Sequence, residues 1–315
     1  MTTTELDDDA FRHLVQRIDP HSRLVRAWRL TGGVSAQITA LEVERDGQVS
    51  KWVVRLHGER DRSGNPDIAR DEFRLLEVVR SYGVAGPAPV YVDTSCELFP
   101  TPVVVIEFID GETLFDVPDT EGYVVQMAEQ LAVIHSVADS PEISFLPRRD
   151  KGYGARPAII DDSLNEGRIR DALESIVSVT QANNSVLLHG DYWPGNLLWN
   201  NDTLAAVIDW EDAGIGEPLV DLGNTRLEVL FAYGAEAMRT FTDHYLSLTR
   251  IDTTNLPYWD LCAALRLCSE MDTWGLDETT LARMKAQHAV FVEQALHDIE
   301  YDAKGMVDGT QIPCD

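Results

Sequence analysis

Apolar residues recur at helical spacing at Phe11, Leu14, Val15 and Ile18, predicting a short helix ended by Asp19-Pro20. Residues 24–30 then read as a strand running into Thr31-Gly32-Gly33-Val34-Ser35-Ala36-Gln37, and a second strand continues through Val43. Asp46-Gly47 is a hairpin signal, so residues 49–56 return as a third strand. Asp67 is placed to cap a helix over 68–82 that carries Phe73, Leu76 and Val79 on one face. After a loop with two prolines, residues 90–92 and 103–108 read as strands, the second almost wholly apolar and therefore buried.

Helical spacing dominates from there on. Val124, Met127, Leu131 and Ile134 predict a helix over 123–137 that ends at His135, a structural hydrogen-bonder in this reading. Residues 139–163 read as a loop and 164–180 as a helix. Val186-Leu187-Leu188 and 204–208 read as short strands, with Asn200-Asn201-Asp202 turning the chain in a hairpin that brings Asn196 and Asp209 together. Residues 210–218 read as a loop, followed by helices at about 219–231, 234–249, 256–271 and 277–299 and a loose tail from Tyr301. Strands first and helices afterwards predict an α+β chain in two lobes, 1–109 and 110–315.

Composition narrows the classes. The 315 residues, 44% hydrophobic and 25% charged, are those of an ordinary globular protein, and no apolar run approaches the roughly 20 residues of a membrane helix. The acidic N-terminus lacks a signal-peptide pattern, which predicts a cytoplasmic protein. A net charge of −27 excludes nucleic acid as partner and favours a cationic small substrate by steering. Cys96, Cys262, Cys268 and Cys314 show no metal-ligand spacing and are expected to be buried reduced thiols, Cys262 and Cys268 on different faces of one helix.

The chemistry concentrates in one stretch. Three apolar residues deliver His189-Gly190-Asp191 to a strand end, Asn196 follows, and a second strand delivers Asp209. One carboxylate to hold a hydroxyl, with an amide and a second carboxylate for magnesium, is the set that phosphoryl transfer needs, because its catalysis is mostly positioning and charge neutralisation. Upstream, the glycine turn with Gly32, Gly33 and Ser35 suits a phosphate chain, since backbone amides approach closest where no Cβ intervenes. Arg55 on the third strand and Glu72 on the next helix are placed to pair, and the connector Glu107-Phe108-Ile109 could read a base edge with its backbone.

Taken together, His189-Gly190-Asp191-x4-Asn196 and Ile208-Asp209-Trp210-Glu211 resemble the aminoglycoside phosphotransferase family, the small-molecule branch of the protein-kinase-like fold that includes choline and macrolide kinases. Thr31-Gly32-Gly33-Val34-Ser35, Leu131-Ala132-x-Ile134-His135 and Gly216-x-Pro218-x2-Asp221-Leu222 extend the resemblance over about residues 20–300. It implies a two-lobed kinase-like fold and transfer of the γ-phosphoryl group of ATP or GTP, with Mg2+, to a small-molecule hydroxyl. Asp191 would be catalytic, Asn196 and Asp209 magnesium ligands, Glu72 the ion-pair partner of Arg55, and Glu107 to Ile109 the purine reader. His189 would anchor the loop and Asp221 would be an architectural acceptor. Arg55 departs from the lysine of the general pattern, and a planar fork is not equivalent to a compact ammonium. For the acceptor, Glu211, Glu270, Asp272 and Trp274, with Asp277 nearby, suggest a pocket for an ammonium-bearing molecule such as an amino sugar. The alternatives are a choline, ethanolamine or macrolide type of kinase, or a nucleotide-binding regulatory protein without catalysis.

Overall fold

A computed structural model describes residues 8–30, 36–149, 153–160, 162–176 and 181–308. Its chain forms two compact units: Met1–Glu112 with Leu198–Asn200 and Ala205–Glu211, and Thr113–Leu197 with Asn201–Leu204 and Asp212–Asp315.

The first unit is built on a five-stranded antiparallel sheet of β1 (Arg23–Arg29), β2 (Ala36–Arg45), β3 (Gln48–His57), β4 (Pro89–Asp93) and β5 (Val103–Glu107), in the order β1-β2-β3-β5-β4. Asp46 and Gly47 both have positive φ, which matches the mirror-image turn whose twist suits a two-residue hairpin. Period-two alternation sorts β3 between two faces. Trp52, Val54 and Leu56 pack with the helix α1 (Asp8–Ile18), where Phe11, Leu14 and Val15 join Leu41, Val43, Val103 and Val105 in one core. Val53, Arg55 and His57 therefore take the opposite face. A short helix, α2 (Glu59–Gly64), was not foreseen, and α3 (Ile68–Ser81) packs on β4 and β5. Asp67 occupies the cap position of α3 without a side-chain cap bond; Arg70 draws its carboxylate away at 2.7 Å. Leu75 replaces Phe73 as a core residue of that helix.

The second unit is mainly helical. It contains α4 (Thr120–His135), α5 (Glu166–Ser175), α6 (Leu219–Tyr233), α7 (Ala235–Leu248), α8 (Leu256–Arg266) and α9 (Glu278–Asp308). Packing runs α4 on α7, α7 on α6, α6 on α8 and α8 on α9. A strand β6 (Val186–Leu188) leads towards Asp191. β7 (Leu197–Asn200) and β8 (Thr203–Val207), most of whose residues belong to the first unit, form the expected hairpin, with Asn201 and Asp202 at positive φ.

Four expectations need correction. Residues 214–216, read as loop, form β9 (Gly214–Gly216) against β6, a three-residue strand too short to leave a period. The helix expected over 164–180 starts only at Glu166, after a one-turn 3-10 segment, and ends at Ser175. α8 stops at Arg266, so Cys268 lies beyond it; Cys262 and Cys268 are buried and outside any disulfide, whereas Cys96 is exposed. α9 continues to Asp308 in place of a loose tail, since one internal glycine costs a helix only about 1 kcal/mol. Cys314 lies outside the described residues. No helix among them is long and apolar enough to cross a membrane.

Candidate active site

In the first unit, Arg55 is buried at the centre of a carboxylate cluster. Its Nε lies 3.1 Å from Glu72 Oε1, one terminal nitrogen lies 3.2 Å from Asp209 Oδ1, and Glu211 is 3.8 Å away. His57, two residues along the same face, places Nε2 at 2.8 Å from the other Glu72 oxygen. Burial pushes the Glu72 carboxyl up, but Arg55 and His57 outweigh it and hold it below the ordinary carboxylate range. Burial likewise acts to lower the Arg55 pKa, yet Glu72 and Asp209 leave it raised and the guanidinium charged. The fork explains the arginine: separate nitrogens reach Glu72 and Asp209 at once, which a single ammonium does less readily. Asp209 itself has φ 66°, a left-handed conformation that aspartate tolerates better than most side chains.

The connector is partly committed to the sheet. The Glu107 amide donates to Ala88 O at 2.8 Å and the Phe108 amide to Lys51 O at 3.1 Å. Of the three expected base-reading residues, Ile109 is the one whose amide lies outside these bonds. Gly32, Gly33 and Ser35 lie outside the described residues.

In the second unit, the His189-Gly190-Asp191 loop is tied down by one buried carboxylate. Asp221, in the first turn of α6, accepts from the His189 amide at 2.7 Å and the Gly190 amide at 3.0 Å. His135 Nε2 stands 3.3 Å from Asp221, and its Nδ1 is 2.6 Å from the Tyr245 hydroxyl. Burial alone would push Asp221 up, but His135, His189 and the loop amide lower it overall. One turn further along α6, Thr225 donates to Tyr192 O at 2.9 Å. Gly190 has φ 84°, and a Cβ there would collide with the Asp212 carbonyl. Only glycine fits that approach.

Asn196 follows in a one-turn 3-10 segment and spends its amide nitrogen on Asp191, at 2.9 Å to the carbonyl and 3.1 Å to Oδ2. This orients the Asp191 carboxylate and leaves the Asn196 amide oxygen as an acceptor. Arg55 engages Oδ1 of Asp209, which leaves Oδ2. Among the described residues no group of three or more His, Cys, Asp and Glu side chains could hold a metal ion. Oxygen donors such as these suit Mg2+, which takes one or two protein oxygens together with phosphates and water.

Beside Asp191 lies a pocket of about 260 Å3, whose wall includes Gly190, Arg149, Asp212, Asn224, Trp259 and Arg266. Arg266 donates to Asn224 at 2.7 Å and lies 3.8 Å from Asp191 Oδ1. Burial raises the Asp191 pKa above its ordinary value, with Arg266 and His189 opposing and Asp212 reinforcing. Burial and the Asp191 charge together push Glu228 up to about 7. Its folded pKa exceeds its unfolded one, so deprotonation favours the unfolded chain and stability falls as pH rises from about 4.5 towards about 7. Glu228→Gln is therefore expected to gain on the wild type between pH 5 and pH 8, by up to about 3 kcal/mol at the upper end. Melting curves at both pH values, with an unchanged gap between the two proteins, would refute it.

The expected acceptor residues do not gather here. Glu270, Asp272 and Trp274 follow the end of α8, where Ser269 turns the chain at φ 67°, and none of them belongs to the pocket wall. Asp272 pairs with Lys285 at 2.6 Å, and Asp277 caps α9 by accepting from the Thr279 and Thr280 amides at 3.0 Å. Glu211 belongs to the Arg55 cluster. Asn224, Glu228 and Arg266 were missed. A signal existed for two of them: Asp221, Asn224 and Glu228 recur at helical spacing on one stripe of α6.

An antiparallel sheet unit and a helical unit carrying an anchored His-Gly-Asp loop define a protein of the kinase-like α+β class. The model of the phosphotransferase enzyme family (APH) matches residues 28–260, and the chain belongs to that family. It is similar to a solved aminoglycoside 2'-phosphotransferase-IIIa in complex with GDP, at TM-score 0.62 and 18% identity, covering 95% of this chain and 99% of that one. A macrolide 2'-phosphotransferase from Brachybacterium faecium gives TM-score 0.59 and 19% identity, covering 89% and 97%. Acyl-CoA dehydrogenase family member 10 of Mus musculus is 21% identical over 221 residues, 64% of this chain and 20% of that protein. The chain thus matches about one fifth of the length of that curated relative.

Proposed function

We propose that this protein is a small-molecule kinase that transfers the γ-phosphoryl group of ATP or GTP, with magnesium, to a hydroxyl group. The observation that carries this reading is Asp191: a partly buried carboxylate oriented by Asn196, on a loop anchored by Asp221, beside a small pocket. In this reading residues 1–109 hold the nucleotide, through Gly32, Gly33, Ser35 and Arg55 with its partner Glu72, and through the backbone near Ile109. Residues 110–315 hold the acceptor. Asn196 and Asp209 are the proposed magnesium ligands. The cation would neutralise charge on the phosphates as the transfer proceeds.

The acceptor oxygen forms a bond to the γ-phosphorus as the bond to the β-phosphate oxygen breaks, releasing the nucleoside diphosphate. Asp191 accepts the hydroxyl proton. Its raised pKa, caused first by burial, makes it a better base than an exposed aspartate. In this reading Arg55, held between Glu72 and Asp209, would meet the phosphates with its guanidinium; those two ion pairs support the role.

A coupled nucleotide-consumption screen over amino sugars, aminoglycosides, macrolides, choline-like alcohols and hydroxy acids, with ATP and GTP in parallel, tests the reading. Acceptor-dependent nucleoside diphosphate release supports a kinase; nucleotide binding with no transfer to any alcohol would favour a regulatory protein. Calorimetry is expected to show nucleotide affinity falling tenfold or more, about 1.4 kcal/mol, when magnesium is chelated. Equal affinities would remove Asn196 and Asp209 as metal ligands.

A further inference from the structure

The chain carries 53 acidic against 26 basic residues, yet the pocket beside Asp191 has two arginines on its wall, Arg149 and Arg266, and one carboxylate, Asp212. Three further features point the same way. Arg149 Nε, Asn224 Nδ2 and Trp259 Nε1 are all buried without a hydrogen-bond partner in the protein. Asn224 and Trp259 are only 5% and 7% exposed. Each of these unpaired atoms is a donor: guanidinium and indole nitrogens cannot accept, and the Asn224 oxygen is already taken by Arg266 at 2.7 Å. Buried donors left unpaired are costly, so a ligand rich in acceptor oxygens is favoured and one presenting an ammonium is not.

We infer that the acceptor is a small hydroxy acid, whose carboxylate is held by Arg266, Arg149, Asn224 and Trp259 while its hydroxyl meets Asp191. This deepens the kinase reading and rests on it for the transfer step. Forked guanidinium groups match a carboxylate better than any neutral group. Size agrees: about 260 Å3 lies below the roughly 300–1,000 Å3 of drug-sized sites, which disfavours a multi-ring amino sugar. The separation of 3.8 Å between Arg266 and Asp191 calls for a short acceptor with its carboxylate a few bonds from its hydroxyl.

The test uses the full chain with magnesium and nucleotide. Glycolate, lactate and γ-hydroxybutyrate are compared with ethanolamine, aminopropanol and the corresponding neutral diols, by ligand-observed NMR for binding and by nucleoside diphosphate release for turnover. Hydroxy acids are expected to bind and to turn over at least tenfold faster than the amino alcohols. Arg266→Gln and Arg149→Gln should each weaken hydroxy-acid binding by about tenfold. Trp259→Phe, which keeps the packing and removes one donor, should weaken it several-fold and serves if an arginine variant does not fold. Hydroxy acids that bind in this arginine-dependent way without turnover would support the ligand class and sink the kinase reading. Preferential phosphorylation of amino alcohols or diols would overturn the inference and leave the kinase reading standing. Failure of every hydroxy acid to bind would overturn it as well.

Discussion

Asp191→Asn is expected to lower acceptor-dependent turnover by a factor on the order of 10² to 10⁴, the range associated with a positioned general base. Nucleotide affinity should change little, because the proposed nucleotide contacts are made by other residues. Stability should hold or rise at neutral pH. Burial raises the Asp191 pKa, so its ionised form is a cost to the folded state that the neutral amide avoids. A variant that melts like the wild type, binds nucleotide and fails to turn over would fit this account. A variant with unchanged turnover would take Asp191 out of the mechanism.

The second large effect concerns stability. Asp221→Asn should cost on the order of 3 kcal/mol, because two backbone amides use separate oxygens of that carboxylate and an asparagine offers one. The amide of His189 or Gly190 would then face an NH2 group, and His135 would lose an anionic partner. The Asp221 pKa is depressed, so its contribution to stability is present above the ordinary aspartate range and is lost as pH falls through the lowered value. The melting-temperature gap between wild type and Asp221→Asn should therefore be wide at pH 7 and close in strong acid. Turnover of the variant should fall too, since the loop that presents Asp191 loses its anchor. A melting curve within about 0.5 kcal/mol of wild type would show that Asp221 is an ordinary surface-level contributor.

Much of the first unit could be read in the chain because its signals are local. The alternation in β3 sets Val54 and Arg55 on opposite faces, and Asp46-Gly47 imposes the turn before it. The order of Arg55 and Glu72 foretold an ion pair that the structure places at 3.1 Å. Where reading failed, the deciding interactions were remote. β9 exists because β6 offers it a partner, and Asp67 is drawn off its helix by Arg70.

The amino-acid sequence by itself determined the order of the strands and helices other than α2 and β9, the His-Gly-Asp loop and the family. Those depend on side-chain periodicity and short spacings that any fold of this chain must honour. Only the tertiary structure decided what surrounds Asp191. Arg266 from the end of α8, Arg149 from the loop before α5, and Asn224 and Glu228 from α6 meet there through helix packing, which no local pattern encodes. The same packing left Glu270, Asp272 and Trp274 off the pocket wall.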